Sequence, residues 1–318
     1  MHAIQRWILK SVFVILTTIA VGACGQGGTT GDPAAGGPGS APTIEELAEA
    51  TFAGISDQTV TLRDGRWEGE PFVEEGASRP TVGLVPHFLL AGDLDRDGRE
   101  DATVLLWESS GGSGTRLYLA AARRHDKDIE ILATAFVGDR VQLRSGRVVG
   151  GHILLDLIQT GPDDPACCPT QKAKTTWALG PEGLTLTSTE ITGTLSIADL
   201  EGPEWILVEL GRNQTVAEGT EITLGFQDNR VAGAGGCNRY FGTVNSAAPG
   251  ELRFSGMGAT RMACPEEAMD LEQRYLNALA GASHFSFLAG RLVLSCDTEE
   301  GPVALIYAPR ENSPPASQ

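Results

Sequence analysis

Four carboxylates crowd one short stretch of this chain: Asp93, Asp95, Asp97 and Asp101, within Gly92-Asp93-Leu94-Asp95-Arg96-Asp97-Gly98-Arg99-Glu100-Asp101. Alternate acids converge when such a loop curls, and Gly98 supplies the sharp bend. Hard carboxylate oxygens in that arrangement suit a hard divalent cation, with the Arg99 backbone carbonyl as a further ligand. The competing reading is an ordinary acidic turn, because Asp and Gly are what surface hairpins use anyway. Arg96, Arg99 and Glu100 would then neutralise or compete within the cluster. A second group is Pro165-Ala166-Cys167-Cys168-Pro169. Adjacent cysteines close a vicinal ring, pair with separate partners, or stay thiols, and the flanking prolines restrict the path. A redox role is a further option, whereas zinc is disfavoured because the usual Cys and His spacings are missing. Gly111-Gly112-Ser113-Gly114-Thr115 lacks the Lys-Ser/Thr of a phosphate loop and reads as a turn between strands. His87, His125, His152 and His284 stand alone, and no hydrolase, metalloprotease or dinucleotide motif is present.

The acidic spacing resembles the opening of an EF-hand-type calcium loop, with acids at positions 1, 3, 5 and 9 and glycine at 6. Position 12 is Val104, so the bidentate Glu is absent, and the flanks read as strands. The loop is closer to the calcium loops of FG-GAP and related β-repeat proteins. A single copy excludes a whole propeller. The expectation is a structural Ca2+ site of weak, extracellular-type affinity, on the order of 10⁻⁴–10⁻³ M.

The first residues carry the other strong chemical signal. Arg6 and Lys10 precede a mostly apolar run over residues 11–21, shorter than the about 20 residues a span needs. Val21-Gly22-Ala23-Cys24 then places small residues directly before a cysteine, as in a lipoprotein signal (residues 1–23) cut ahead of a lipidated Cys24. Gly25 after Cys24 favours an outer membrane, facing the periplasm, in a two-membrane cell. Residues 24–42 are rich in Gly, Pro and Ala and read as a flexible tether. The formal charge is already −17, and cleavage removes two positive side chains. Such acidity disfavours nucleic acid, and membrane contact is expected through the acyl anchor alone. Six cysteines including Cys24 leave an odd number in an oxidising compartment, so at least one stays free or pairs with another chain.

Behind these groups the pattern predicts a mainly β fold with minor α (α+β), in two β-rich domains over residues 43–195 and 203–308, followed by a disordered tail over 309–318. Thr43-Ile44-Glu45-Glu46 has capping-box spacing, and Ile44, Leu47, Ala48 and Phe52 predict a helix to about Gly54. Asp64-Gly65 predicts a hairpin turn. Short strands are expected at 59–62, 66–68, 88–91, 102–107, 117–122, 130–137, 141–143, 152–158, 175–179 and 184–189. The second domain adds strands at 205–210, 220–226, 230–232, 252–254, 285–287, 291–294 and 303–307. Residues 265–279 form an amphipathic helix through Met269, Leu271, Tyr275, Leu276 and Leu279, with Pro265 at its start and acids in the first turn.

Residues 205–308 resemble the META domain, the HslJ-like type of bacterial envelope lipoproteins. The resemblance rests on the Trp205 run, Val231-Ala232-Gly233 read as a turn, Gly235-Gly236-Cys237-Asn238-Arg239-Tyr240-Phe241-Gly242 and Thr260-Arg261-Met262-Ala263-Cys264-Pro265. It implies an exported, often stress-associated module without an established catalytic centre. Within that frame Cys237–Cys264 is the preferred disulfide, stabilising by roughly 3 kcal/mol through its loop, with two reduced buried thiols as the alternative. Asn238 and Arg261 are read as structural hydrogen-bonding residues, or else as lining for a ligand groove. Cys296 lies outside the pattern. The expected function is a non-enzymatic envelope or stress-associated lipoprotein acting as a binding or structural module, with an unknown envelope protein or small ligand as partner. A protease-inhibitor-like or small-ligand-binding module comes second. An enzyme of unknown class comes third, since no acid, base and nucleophile converge.

Overall fold

A computed structural model describes residues 40–310, apart from 57, 75, 77, 113, 127, 212–215 and 217–219. The expected signal segment over residues 1–23, Cys24, most of the expected tether and residues 311–318 lie outside the described residues. The fold is mainly β with minor α, as expected.

Three larger β-sheets and a two-stranded β1-β2 sheet follow from where the apolar residues sit. A five-stranded antiparallel sheet runs β3 (Arg66–Glu68), β4 (Thr81–Gly92), β5 (Asp101–Ser109), β6 (Arg116–His125), β7 (Asp128–Asp139) in that order. Its central strands are apolar without alternation because both faces are covered. On β5 and β6, Ala102, Val104, Leu106, Tyr118 and Ala120 pack under α1 (Ile44–Leu47), β1 (Thr51–Ile55) and β2 (Gln58–Thr61). The alternate residues Leu105, Leu117, Leu119 and Ala121 face a second, four-stranded sheet through Leu155, Leu157, Ala173 and Trp177. That sheet has the order β11-β10-β9-β8, from β8 (Gln142–Val149), β9 (His152–Gln159), β10 (Gln171–Gly180) and β11 (Gly183–Thr194).

The first helix is shorter than its sequence pattern. The capping box forms, with Thr43 and Glu46 reciprocally bonded, but the helix ends at Leu47 and residues from Thr51 enter β1. Phe52 and Val60 pair across β1 and β2, so strand pairing overrides the helical spacing of Phe52. Asp64 and Gly65 both have positive φ, as the hairpin turn requires.

The C-terminal layer is one eight-stranded sheet, ordered β16-β15-β14-β13-β12-β19-β18-β17. Its strands are β12 (Trp205–Leu210), β13 (Thr223–Gln227), β14 (Arg230–Ala234), β15 (Arg239–Asn245), β16 (Arg253–Ala259), β17 (Ala282–Leu288), β18 (Arg291–Thr298) and β19 (Gly301–Pro309). The ends nearly meet: Leu252 N–H donates to Ser283 O and Phe285 N–H to Gly250 O, both within about 3 Å. The helix α2 (Glu266–Ala280) packs against β16 and β18 and buries Glu272, Tyr275, Ala278 and Leu279. Met269, expected on the buried face, is exposed. Val231-Ala232-Gly233, read as a turn, lies inside β14; the turn is Asp228-Asn229, both at positive φ.

The sheets are joined by specific contacts. Asp199, in a short 3-10 turn (Ile197–Leu200), sits 2.8 Å from Lys172 and 3.1 Å from Arg144. The Arg144 guanidinium lies over the Phe287 ring, and Phe287 N–H donates to Gln142 Oε1 at 3.0 Å. Ile158 of β9 belongs to the C-terminal core. The described residues form one compact unit.

Candidate functional site

The acidic loop connects β4 to β5, with Gly92 and Asp101 paired at its base. Asp93 Oδ1 accepts from the Asp97 N–H and Oδ2 from the Gly98 N–H, both at 3.0 Å, which curls the loop around that side chain. Gly98 and Arg96 take positive φ, and Arg96 reaches across to the Gly150 carbonyl. As a result, one carboxylate oxygen each from Asp93, Asp95 and Asp101 lies within 4.8 Å of the others. Asp97 does not join them. Its carboxylate is turned onto the Arg99 side chain and backbone N–H, which holds its pKa below the usual aspartate value.

Asp101 is the unusual member. Only 2% of it is exposed, and its one neutral donor is the Leu94 N–H at 3.0 Å. Burial raises its pKa, the Leu94 hydrogen bond opposes that, and the negative charges of Asp95, Asp97 and Asp93 raise it further. Arg123 meets Asp95 at 3.3 Å but is shared with Glu130. A cation among Asp93, Asp95 and Asp101 would relieve that repulsion, and three carboxylates are the hard donors that Ca2+ prefers. Val104, at the position where a bidentate Glu would stand, is fully buried in the core. A cleft of about 530 Å³ adjoins the loop, lined by Leu94, Asp95, Arg96, Leu132, His152 and Leu179 among others.

The C-terminal polar cluster is built differently, as a closed network. Cys237 and Cys264 are joined, with the two Cα atoms 6.1 Å apart. Glu272, projecting from α2, accepts from the Cys237 N–H at 3.1 Å, from the Asn238 N–H, and from Asn238 Nδ2 at 2.9 Å. Asn238 Oδ1 in turn accepts from Thr260 Oγ1 and the Met262 N–H. Gly235 is required here because a Cβ would lie 2.8 Å from Glu272 Oε2, and Gly236 has φ +104°. Asn238 thus ties three segments together, whereas Arg261 is exposed and takes no part in the network.

Beneath that network lies a line of buried tyrosines, of which only Tyr275 was expected on a buried face. Tyr240 OH donates to the Thr223 carbonyl at 2.6 Å, lies 2.8 Å from Tyr275 OH, and Tyr307 OH donates to Tyr275. Burial raises all three phenols well above their ordinary pKa and pushes the nearby Cys296 thiol up to about 12. Cys296 is an unpaired, buried thiol and chemically quiet at neutral pH. Glu272 also escaped notice, although an acid three residues before Tyr275 on an apolar helix face is a readable signal. On the surface of this layer a groove of about 700 Å³ runs between Pro203, Glu204, Gln227, Asp228 and Arg230.

The cysteines of the 165–169 stretch are joined to each other and exposed, on the loop between β9 and β10.

The META domain family model matches residues 198–308, the C-terminal layer together with the 3-10 turn that carries Asp199. Two solved structures are similar to the chain. One is an NMR structure of a protein from Burkholderia xenovorans, 25% identical, covering 36% of this chain and 85% of that one, with a TM-score of 0.29. The other is an NMR structure 21% identical, covering 36% of this chain and 94% of that one, with a TM-score of 0.30. No curated protein matches the chain.

Proposed function

We propose that this chain is an exported lipoprotein of the cell envelope, held to a membrane through Cys24, that acts by binding rather than by catalysis. The META match over residues 198–308 supports the envelope or stress-associated assignment. The Val21-Gly22-Ala23-Cys24 order supports the anchor. In this reading the META layer, cross-linked by Cys237–Cys264 and locked by Glu272, is a rigid platform beside a β-rich module stabilised by Ca2+.

The observation that carries the calcium-stabilised module is the convergence of Asp93, Asp95 and Asp101 around the buried Asp101 charge. These residues would hold the ion, which would contribute structure and no reaction step. The test is a thermal melt with and without millimolar calcium, on the wild type and on Asp95→Ala. The proposal expects calcium to raise the wild-type midpoint and to leave the variant unmoved. An unmoved wild type would return the loop to an ordinary acidic turn.

A further inference from the structure

We infer that the Cys167–Cys168 pair is a surface thiol–disulfide exchange site that takes two electrons from an external dithiol. The two disulfides of the described residues differ in the ways that matter for this. Cys237 and Cys264 are half-buried and enclose 27 residues of sequence separation, which is where a cross-link restrains the unfolded chain effectively. Cys167 and Cys168 are adjacent, so they enclose the shortest loop a disulfide can close and contribute correspondingly little to stability. Both are exposed, so an incoming thiolate has access to either sulfur.

The surrounding loop is built without help from the sulfurs. Asp164 accepts from the Gly161 N–H at 2.8 Å, the Thr170 N–H at 2.6 Å and Thr170 Oγ1 at 2.7 Å, closing the base of the loop. The Cys168 N–H donates to the Pro165 carbonyl at 3.0 Å, and Leu195 N–H donates to the Thr170 carbonyl. Gln159 and Gln171 join the ends of β9 and β10 through their side chains at 2.9 Å. Pro169, next in the sequence, is buried. Opening the S–S bond therefore leaves this frame in place, and the ring can open and close on a fixed support.

The chemistry selects the donor. A donor thiolate attacks the sulfur of one cysteine, the Cys167–Cys168 bond breaks, and the other cysteine leaves as a thiolate and takes a proton. With a monothiol, that thiol sits one residue from the mixed disulfide and re-closes the ring at high effective concentration. A dithiol resolves the mixed disulfide with its own second thiolate, which forms the donor's disulfide and releases the second cysteine. The donor loses two electrons and two protons; the chain gains them as two thiols.

The test treats the purified full chain with graded dithiothreitol, or with glutathione at equal thiol concentration. Alkylation then quenches exchange; one peptide mass counts the alkyl groups on Cys167 and Cys168 together, and separate peptides report Cys237 and Cys264. The expected result is opening of Cys167–Cys168 at a dithiothreitol concentration at least about ten-fold below that which opens Cys237–Cys264, with equimolar oxidised dithiothreitol and unchanged circular dichroism. Glutathione should leave the pair largely closed. Alkylation of both cysteines without reductant, opening only together with Cys237–Cys264 or with loss of fold, or equal opening by glutathione would each overturn the inference. A variant with Cys167→Ser and Cys168→Ser should fold and consume no dithiothreitol below the Cys237–Cys264 threshold. If that variant does not fold, the wild-type peptide ratio decides.

Discussion

Removing the Glu272 carboxylate should be among the most damaging single changes in the C-terminal layer. Three donors point at it: the backbone N–H groups of Cys237 and Asn238 and the Asn238 side-chain amide. Asn238 is 6% exposed and Glu272 8%, so water cannot easily take over both Asn238 bonds. A buried donor left without a partner costs about 1–3 kcal/mol. The half-buried Cys237 N–H recovers some hydration, which places Glu272→Ala at about 4 kcal/mol. The gain in helix propensity offsets only about 0.4 kcal/mol of that. Glu272→Gln keeps one acceptor oxygen but turns an amide donor toward the remaining donors, so about 2–3 kcal/mol should be lost. Urea unfolding under oxidising conditions reads both variants. With a slope of about 3 kcal/mol/M, the alanine variant should unfold more than about 1 M earlier. A loss below about 1 kcal/mol for Glu272→Ala would refute the claim that this side chain ties the helix to the disulfide segment.

Glu46→Ala strands the Arg124 guanidinium, whose side chain is 7% exposed, and breaks the capping box as well; about 2–3 kcal/mol should be lost at pH 7. Its hydrogen bond to Arg124 lowers the Glu46 pKa, so the contribution is present above the ordinary carboxylate value and lost as pH falls through the lowered one. Urea unfolding of the two proteins should therefore converge in acid. Asp199→Ala removes the partner of Lys172, the nearer of two carboxylates on Arg144 (Asp156 stays at 3.8 Å) and the Asp199 bonds to Ser196, at about 2–3 kcal/mol by calorimetry, whereas a loss under about 0.5 kcal/mol would mean the junction does not depend on it. Asp101 has the opposite sign to Glu46. Its raised pKa gives a contribution fully present below the ordinary aspartate value and lost as pH rises through the folded value. In chelator, Asp101→Asn should melt above the wild type at neutral pH, with the gap shrinking in acid, and calcium should leave it unmoved.

The parts of this molecule that the sequence displayed are those whose determinants are local. The acidic loop is closed by residues within nine positions of each other, and Asp64 and Gly65 take the positive φ that their turn needs. The helix over Glu266–Ala280 follows from its period and from Pro265. Most of what was hidden depends on distant partners. Phe52 looked helical until β2 supplied a ladder, and β15 was masked because the exposed Phe241 blurs its alternation. Glu272 makes sense only beside Asn238, 34 residues away, and Asp199 only beside Arg144, 55 residues away. Asp97 was grouped with the other loop acids by spacing, yet the nearer Arg99 draws it aside. Spacing shows which charges share a loop, and counter-charge decides which way each one turns.

Export and anchoring come first, because the binding role and the oxidised cysteines both presuppose the envelope. Expression of the full chain in a bacterium, followed by membrane fractionation and mass analysis of the N-terminal peptide, tests this directly. The account predicts a chain beginning at Cys24 that carries a diacylglycerol, sediments with membranes, and is lost from them in Cys24→Ala. A soluble wild-type chain, or one whose N-terminal peptide carries no lipid on Cys24, would contradict it.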